Sequence, residues 1–507
     1  VEHYLSGYVA YLRYVERGWE VAPAESSRET RQSSRSVTTY REGPNWDQER
    51  LVAATPGHWQ KRPDSPQWQA TGLAFKAFTA MPGGIVAVRP TGQRLGVTHA
   101  QLQQLPFTPQ ALLVQDGEAN PPLPVPTYRV PNLQQAILDM AVFARSQMQG
   151  KVIGVTGSAG KTTAVAMLKH LLQLWGETGS SAHNANLPLG IAWNLATVPW
   201  SARHQIIEMA IGSMSRNSRL VRPDVALFLN VAPAHLEYHG STAEIARRKS
   251  RIFSSMAPGQ HAVINRDLAE WPIILEAAQA RQLKVISFGR HPDSDIRRVG
   301  QQRSEQGMTL TVDCRGTSME LKLPVLSDAL AENAMACLAV LEALQLPLHP
   351  AASALSTFQL PAGRGQATEL VYQGRHITLI DDAYNANPRS MHAMLGRLAS
   401  RPQPRQRLLL VLGDMLELSD NSNRYHADML PHIIASQPSE VFLLGSQMAQ
   451  LAPHLQEHGI SAHTFEEPQQ LSEQLIGRLK DRDLIAVKGS HGSHAFRVVD
   501  QLKRLSS

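Results

Sequence analysis

Residues 152–175 read VIGVTGSAGKTTAVAMLKHLLQLW and place a glycine-containing turn between a short β-branched run and a helical stretch. Glycines let the backbone N–H groups of such a turn curl around a phosphate, and the N-terminus of the following helix adds a positive dipole. In this pattern the lysine reaches the outer phosphates and the next hydroxyl binds Mg²⁺. A glycine-rich turn without a ligand is disfavoured by the strand–turn–helix context. We therefore predict a phosphate-binding loop for ATP made of Gly157, Ser158, Ala159, Gly160, Lys161, Thr162 and Thr163.

Strand-like runs alternate with helical stretches on the C-terminal side of this loop. Such alternation is typical of a parallel α/β sheet. Runs with the composition of buried strands occupy residues 204–210, 224–232, 261–265 and 284–289, and residues 307–325 alternate around a turn like an antiparallel hairpin. We predict a central ATP-binding domain with a parallel sheet over residues 151–360.

A second α/β domain is predicted for the C-terminal part of the chain. The segment LPAGRGQATEL, residues 360–370, has the composition of a linker. Alternation resumes after it, with strand-like runs at residues 376–382, 407–414, 440–445 and 483–489. This pattern predicts a Rossmann-like domain over residues 361–507.

Residues 1–150 follow no regular pattern. They contain a Ser/Arg-rich stretch at 26–36, strand candidates at 83–90 and 111–116, and a Pro-rich run at 120–126. We expect a divergent α+β domain here, which recognises a substrate. The chain of 507 residues then has three domains, as expected at about 100–200 residues per domain.

Composition excludes several classes of protein. Hydrophobic residues make up 43% and charged residues 18% of the chain, which disfavours disorder and fibrous structure. No apolar run reaches about 18 residues, so we expect no membrane insertion. Charged residues interrupt the first twenty residues, unlike those of a secretory signal. The chain has only two cysteines, Cys314 and Cys337, which suggests a reducing, cytoplasmic setting. The net charge of +6 is spread evenly, so we expect no nucleic-acid partner.

Three further residues are candidates for metal chemistry. Glu208 ends a strand-like run, His235 lies in the segment NVAPAHLEYHGS at 230–241, and Lys249 follows fourteen residues after His235. A strand-end carboxylate near a phosphate loop is well placed for a metal, and neutral imidazole is a possible ligand of Mg²⁺ or Mn²⁺. Taken one by one, these residues also fit an ordinary surface glutamate, loop histidine and surface lysine.

Taken together, the phosphate loop, the strand-end glutamate, the HLEYHG segment and the downstream lysine resemble the motifs of the Mur ligase family. The resemblance covers about residues 151–507. It implies that Thr162 and Glu208 hold one Mg²⁺, and that Glu208, His235 and a carbamylated Lys249 surround a second. It also implies that Asn184 and Asn186 belong to a substrate loop facing the phosphate site.

The C-terminal part is similar to the MurF branch of this family. The similar segments are Gly363-Arg364, DDAYNANP at 381–388, LGDMLEL at 412–418 with His426, and Lys488-Gly489-Ser490. The resemblance implies that Arg364 contacts ATP phosphate, that Asp382 and Asn387 lie near the nucleotide, and that Lys488, Gly489 and Ser490 lie near the incoming amine.

The chain also departs from the family pattern. Ala329 and Leu330 stand where the family has His and Asn, so Asn333 alone remains of a segment that contacts adenine. Ala234 stands where an Asp is expected, and His491 where an Arg is common. Residues 1–150 contain no DSR-type signature for a uridine nucleotide.

The resemblance implies an ATP-dependent ligase that forms an amide through an acyl phosphate, with Lys161, Glu208, His235, Lys249 and Arg364 as catalytic residues. Its partners would be small molecules, a carboxylate donor and an amino acid or dipeptide amine, and the chain would act as a monomer. One hypothesis is synthesis of peptidoglycan from UDP-N-acetylmuramoyl-tripeptide and D-alanyl-D-alanine. A second is a specialised ligase for another carboxylate, from a secondary metabolite or polyamide. A third is a nucleotide-binding regulator without ligase activity, which the retained site residues disfavour.

Overall fold

Three β-sheets, each flanked by helices, make up the structure, which is a computed structural model. It describes residues 44–182, 185–232, 241–304, 307–324, 327–401, 405–416, 418 and 422–505. Among these residues, no helix has both the length and the apolar content needed to cross a bilayer. The predicted α/β class is confirmed, since most strand pairs in every sheet are parallel.

Strands and helices of the described residues are numbered in chain order. The strands are β1 (His58–Lys61), β2 (Leu73–Ala74), β3 (Ile85–Ala87), β4 (Ala111–Gln115), β5 (Thr127–Val130), β6 (Lys151–Thr156), β7 (Thr178–Ser180), β8 (His204–Glu208), β9 (Val225–Phe228), β10 (His261–Asn265), β11 (Lys284–Gly289), β12 (Ile296–Ser304), β13 (Gly307–Cys314), β14 (Thr317–Leu323), β15 (Gln366–Tyr372), β16 (Arg375–Asp382), β17 (Leu408–Gly413), β18 (Glu440–Leu444), β19 (Ser461–Phe465) and β20 (Leu484–Lys488). The α-helices are α1 (Gln48–Ala54), α2 (His99–Gln103), α3 (Leu133–Gln147), α4 (Lys161–Leu172), α5 (Pro188–Thr197), α6 (Met214–Val221), α7 (Thr242–Ser250), α8 (Trp271–Gln279), α9 (Asp328–Ala343), α10 (Leu348–Leu355), α11 (Pro388–Ala399), α12 (Ser422–Ala427), α13 (Leu430–Ala435), α14 (Ser446–Ala449), α15 (Ala452–Glu457), α16 (Pro468–Ile476) and α17 (Phe496–Leu505).

The central sheet positions the phosphate loop. Its strand order is β14-β13-β12-β11-β10-β9-β6-β8-β7, and β6 pairs in parallel with both β8 and β9. The carboxyl ends of parallel strands meet at one edge of a sheet, so the residues that follow β6, β8 and β9 lie side by side there. The predicted hairpin forms β13 and β14, with Cys314 opposite Thr317.

The C-terminal sheet has the order β15-β16-β20-β17-β18-β19. Strand β15 pairs antiparallel with β16, and the remaining neighbours are parallel. Strand β20 therefore lies between β16 and β17, which brings the segments after these three strands to one edge. The linker-like segment predicted at residues 360–370 includes the start of β15 at Gln366, because an edge strand with alternating polar residues has the composition of a loop.

The N-terminal sheet, in the order β1-β5-β4-β3-β2, is also mostly parallel, with β1 antiparallel to β5. It is joined to the central region by one continuous core. Trp46 is fully buried, its indole Nε1 donates to the Ala196 carbonyl at 2.9 Å, and its ring lies 4.9 Å from that of Trp200. Buried residues on both sides of the predicted boundary at residue 150 thus pack together.

We expect Trp46→Ala to lower the free energy of unfolding by about 3–5 kcal/mol, because it removes a fully buried aromatic ring from this shared core. Urea unfolding followed by tryptophan fluorescence would measure the loss, and hydrogen exchange would show β5 and β8 losing protection together. The control is Val52→Ala, since Val52 is 53% exposed on the neighbouring helix and should change stability little. Loss of protection confined to β5 would contradict the shared core.

Candidate functional site

The phosphate loop connects β6 to α4 and reaches its tightest bend at Gly160. This residue precedes the helix with φ of +78°, a left-handed conformation that glycine adopts without the steric cost of a Cβ. A Cβ here would also approach the Asn333 amide to 3.3 Å. The Asn333 Nδ2 donates to the Gly160 carbonyl at 3.3 Å, so the predicted adenine-contact residue supports the phosphate loop directly.

Asn230, directly after the β9 region, holds the other half of the loop. Its Oδ1 accepts from the backbone N–H groups of Ser158, at 3.1 Å, and Ala159, at 2.9 Å, and its Nδ2 donates to the Ala159 carbonyl at 3.0 Å. Sequence reasoning gave Asn230 no role. The signal that could have found it is a buried amide at the end of the strand beside the phosphate loop.

The Thr162 hydroxyl joins three separate segments of the chain. It donates to Glu208 Oε2 at 2.8 Å and accepts from Arg364 Nη2 at 2.9 Å. Asn186 Nδ2 donates to the other oxygen of the Glu208 carboxylate at 2.8 Å, and Glu208 is only 3% exposed. The Arg364 guanidinium also stacks on the Tyr384 ring, with its Cζ 4.0 Å from the ring centroid. The structure thus brings four predicted site residues, Thr162, Glu208, Asn186 and Arg364, into direct contact.

The two predicted site lysines converge on one backbone carbonyl. Lys161 Nζ and Lys249 Nζ each donate to the Gly157 oxygen at 3.0 Å. Burial and then the nearby Lys161 charge lower the pKa of Lys249 well below its ordinary value, and Glu208 opposes them. Burial likewise lowers the pKa of Lys161. Because a lowered pKa favours the neutral amine, Lys249 is more readily deprotonated than a free lysine.

Oxygen donors in this site fit Mg²⁺. The Thr162 hydroxyl and the Glu208 carboxylate lie together, and hard oxygen ligands are those that Mg²⁺ prefers. Two predicted residues, His235 and Asn184, lie outside the described residues. Within the described part of the chain, no three histidine, cysteine or acidic side chains form a metal-binding group by themselves.

A second group of predicted site residues lies at the carboxyl edge of the C-terminal sheet. Buried Lys488 forms an ion pair with Asp382, Nζ to Oδ2 at 3.1 Å, and donates to the Asn385 carbonyl at 3.0 Å. Burial lowers the pKa of the Lys488 ammonium, and Asp382 opposes this shift. Asp382, predicted to lie near the nucleotide, and Lys488, predicted to lie near the amine, therefore form one ion pair.

The other predicted residues of this group make contacts within the C-terminal domain itself. Ser490 Oγ accepts from the Leu416 N–H at 2.9 Å and donates to the Ala386 carbonyl at 3.2 Å. A Cβ at Gly489 would lie 2.9 Å from Gly413 Cα, so only glycine fits there. Asn387 caps α11 by accepting from the Ser390 N–H at 2.9 Å. The places of these residues in a substrate or ATP site stay predictions.

Asp414 and His426, from the MurF-like segments, shape the loop after β17. Asp414 Oδ1 accepts from the Met448 N–H at 2.8 Å. His426 Nε2 accepts from the Met415 N–H at 2.9 Å, so the proton lies on Nδ1 and is donated to the Ser422 carbonyl at 2.7 Å. Burial lowers the pKa of His426, which keeps this neutral form.

Comparison with known proteins places these features in a family. The model of the Mur ligase middle domain matches residues 155–341, and that of the Mur ligase glutamate ligase domain matches residues 366–491. A UDP-N-acetylmuramoyl-tripeptide–D-alanyl-D-alanine ligase of Synechocystis sp. is 30% identical over 356 residues, covering 69% of this chain and 74% of its own length. The ligase of the same name from Rickettsia prowazekii is 28% identical over 73% of this chain and 82% of its own length.

Solved structures show the same fold over nearly the whole described chain. MurF from Acinetobacter baumannii superposes with a TM-score of 0.74 at 24% identity, covering 91% of this chain and 99% of that one. MurF from Thermotoga maritima in complex with ADP superposes with a TM-score of 0.67 at 20% identity, covering 86% of this chain and 97% of that one. The three-sheet architecture, including the N-terminal sheet, is shared.

We expect Asn230→Ala to weaken ATP binding about tenfold, because two loop N–H groups lose the acceptor that orients them. Titration with a fluorescent ATP analogue would measure the dissociation constant. Asn265→Ala is the matched control, since buried Asn265 on the neighbouring strand donates to Leu229 and does not contact the loop. Equal weakening in both variants would assign the effect to general destabilisation.

Proposed function

The chain belongs to the Mur ligase family of ATP-dependent ligases, and we propose that it joins UDP-N-acetylmuramoyl-tripeptide to D-alanyl-D-alanine in peptidoglycan synthesis. The contact between Arg364 and Thr162 carries this proposal. Through it, a residue of the linker segment reaches the phosphate loop, so the ATP site and the residues around Lys488 would form one continuous site. The relatives that carry this name and cover most of the chain support the choice of substrates.

The first chemical step is phosphoryl transfer. A carboxylate oxygen of the tripeptide attacks the γ-phosphorus of ATP, the bond to the β-phosphate oxygen breaks, and an acyl phosphate and ADP form. Negative charge spreads over the transferring phosphoryl oxygens, and fixed cations there lower the barrier. Lys161 and Arg364 are these cations, since Arg364 lies within hydrogen-bond distance of the loop threonine.

The second step forms the amide. The dipeptide amine attacks the acyl carbon, giving a tetrahedral intermediate, and the bond from that carbon to the phosphate oxygen then breaks. Inorganic phosphate leaves and the attacking nitrogen loses a proton. Lys488 donates to Asp382 and Asn385, on either side of the Tyr384 ring that Arg364 covers. The region near Lys488, Gly489 and Ser490 is the proposed place for the incoming dipeptide.

Two Mg²⁺ ions are part of the proposal, with Mn²⁺ as a possible substitute. Thr162 and Glu208 would hold one, and Glu208, His235 and carbamylated Lys249 the second. Bound Mg²⁺ neutralises phosphate charge. The unmodified Lys249 ammonium would repel a cation, whereas its CO₂ adduct supplies anionic oxygens. The lowered pKa of Lys249 favours the neutral amine, the form that reacts with CO₂.

The remaining assignments follow from this role. Residues 1–150 would recognise the nucleotide-sugar peptide, residues 151–360 would bind ATP, and residues 361–507 would bind the dipeptide. The enzyme would act as a cytoplasmic monomer on small molecules. Because residues 1–150 have no uridine-nucleotide signature, a specialised ligase for another carboxylate is the second candidate.

We expect purified protein with ATP and Mg²⁺ to release phosphate when both UDP-N-acetylmuramoyl-tripeptide and D-alanyl-D-alanine are present. Omitting either substrate should reduce release to background, because the amide forms only from the acyl phosphate and the amine. Phosphate release that needs an amine but ignores the nucleotide-sugar peptide would replace peptidoglycan synthesis with the specialised ligase. ATP binding without release under any combination would favour a regulator.

Lys249→Ala should lose nearly all turnover and fold normally, and short carboxylates such as formate or acetate should restore part of it by replacing the carbamate. Glu208→Gln should weaken the dependence on Mg²⁺, because it removes an anionic charge. Turnover at several Mg²⁺ concentrations and circular dichroism measure these effects. Lys169→Ala, a partly buried lysine on α4, is the control and should stay active. Full activity of Lys249→Ala would remove the second metal site.

A further inference from the structure

Positive side chains form a row from the phosphate loop into the C-terminal domain. They are Lys249, Lys161, Arg364, Lys488 and Arg397. Lys249 and Lys161 share the Gly157 carbonyl, Arg364 contacts Thr162 and Tyr384, Lys488 contacts Asp382 and Asn385, and Arg397 contacts Gly365. Among the described residues, the carboxylates that act on this row are Glu208 and Asp382. The next carboxylate, Asp381, is paired with Lys503 at 2.8 Å. Even with Lys249 carbamylated, the four other basic side chains outnumber the three anionic groups, and this excess favours the binding of anions along the row.

Arg397 is the member of this row that the proposed chemistry does not use. It lies in the last turn of α11, and its Nη1 donates a long hydrogen bond of 3.4 Å to the Gly365 carbonyl. Its Nε and Nη2 are buried and have no hydrogen-bond partner. In the described part of the chain, no other side chain has two such atoms. Buried charged donors without a partner are costly, so they point to a ligand.

The two unpartnered nitrogens indicate the shape of that ligand. Nε–H and one Nη2–H lie parallel on the same edge of a guanidinium, and this fork pairs with the two oxygens of a carboxylate. Gly365, with φ of +89°, packs against the group: a Cβ there would lie 2.7 Å from Nη1 and 2.9 Å from Nη2. Because the surrounding protein covers the fork, it must open before a carboxylate can reach it.

Position along the row separates this anion from the nucleotide. Arg364 reaches the phosphate loop through Thr162, whereas Arg397 donates to Gly365, on the C-terminal side of Arg364. Lys488 contacts Asp382 and Asn385, on either side of the Tyr384 ring that Arg364 covers. In the proposed function ATP phosphates meet Lys161 and Arg364, which leaves Arg397 for the anion of the other substrate.

We infer that the Arg397 guanidinium binds the free carboxylate of D-alanyl-D-alanine and so holds the dipeptide with its amine toward Arg364 and the acyl phosphate. This inference rests on the proposed function. Arg397 is then a specificity-determining residue, because it selects amines that carry a carboxylate and disfavours amides and simple amines.

The test combines a protein variant with a ligand variant. Arg397→Met keeps the length of the side chain and removes the charge, and D-alanyl-D-alanine amide removes the carboxylate. We expect calorimetry on protein saturated with a non-hydrolysable ATP analogue and the nucleotide-sugar tripeptide to show about tenfold weaker dipeptide binding in the variant. Wild type should lose about the same factor with the amide, and the variant should bind acid and amide equally. Binding of the ATP analogue should not change.

Arg401→Met is the matched control, since Arg401 follows the same helix and donates to the Leu398 and Ser436 carbonyls rather than to Gly365. Arg397→Lys keeps the charge and should retain part of the preference for the dipeptide acid over its amide. This variant also provides a test if Arg397→Met does not fold. Equal binding of acid and amide by wild type, no binding of either, or weakened ATP binding in Arg397→Met would overturn the inference. Failure of the proposed function is detected by a different measurement, because the wild-type protein would then release no phosphate in the activity assay.

Discussion

The Thr162 hydroxyl is the point on which the site depends. It has one proton to donate and gives it to Glu208, and it accepts from Arg364, so the group is satisfied by residues on three different segments. The first segment is the phosphate loop, the second is the end of β8, and the third is the linker to the C-terminal domain. The parallel pairing of β6 with β8 brings the first two together. The third leads directly into β15 of the C-terminal sheet, so this single hydroxyl connects the central region to the start of the C-terminal domain.

The same site concentrates positive charge where water has little access. Lys161 and Lys249 both point at the Gly157 carbonyl, an arrangement that is unfavourable for two ammonium groups. A lowered pKa on Lys249 relieves this repulsion, and carbamylation would reverse the sign of its charge. Lys249 is therefore the lysine whose neutral form is strongly favoured, and the proposed carbamylation needs that form.

Sequence reasoning identified the elements whose sequence signals lie within a short stretch of the chain. The phosphate loop, the buried parallel strands and the β13–β14 hairpin have signatures within about twenty residues, and all three form as predicted. It missed seven strands, β1, β2, β5, β7, β12, β15 and β19. Five of them, β1, β2, β7, β15 and β19, are edge strands, where composition resembles a loop. Strand β5 has only four residues, and β12 is mostly polar. It also gave no role to Asn230 or Arg397, because their importance comes from contacts about 70 and about 30 residues away in the chain. Ser490 and Asn387 show a different limit. A motif can predict that a residue lies near a site without showing whether its side chain binds a ligand or stabilises a loop.

The two interfaces of the central region differ in kind, since one is apolar and the other is polar. The N-terminal sheet shares an apolar core with the central region, in which Trp46 and Trp200 pack together. The apolar clusters of the C-terminal domain contain, among the described residues, none from before Leu370. This domain instead meets the central region through arginine side chains, in the pairs Arg364–Thr162, Arg389–Glu332 and Arg303–Ser400. Polar contacts of this type exchange readily with water and ligands, whereas separating a shared core exposes apolar surface. We therefore expect the C-terminal domain to move relative to the central region more readily than the N-terminal sheet does. Under the proposed function, ATP and the carboxylate substrate would stay on one unit while this motion brings the dipeptide to them.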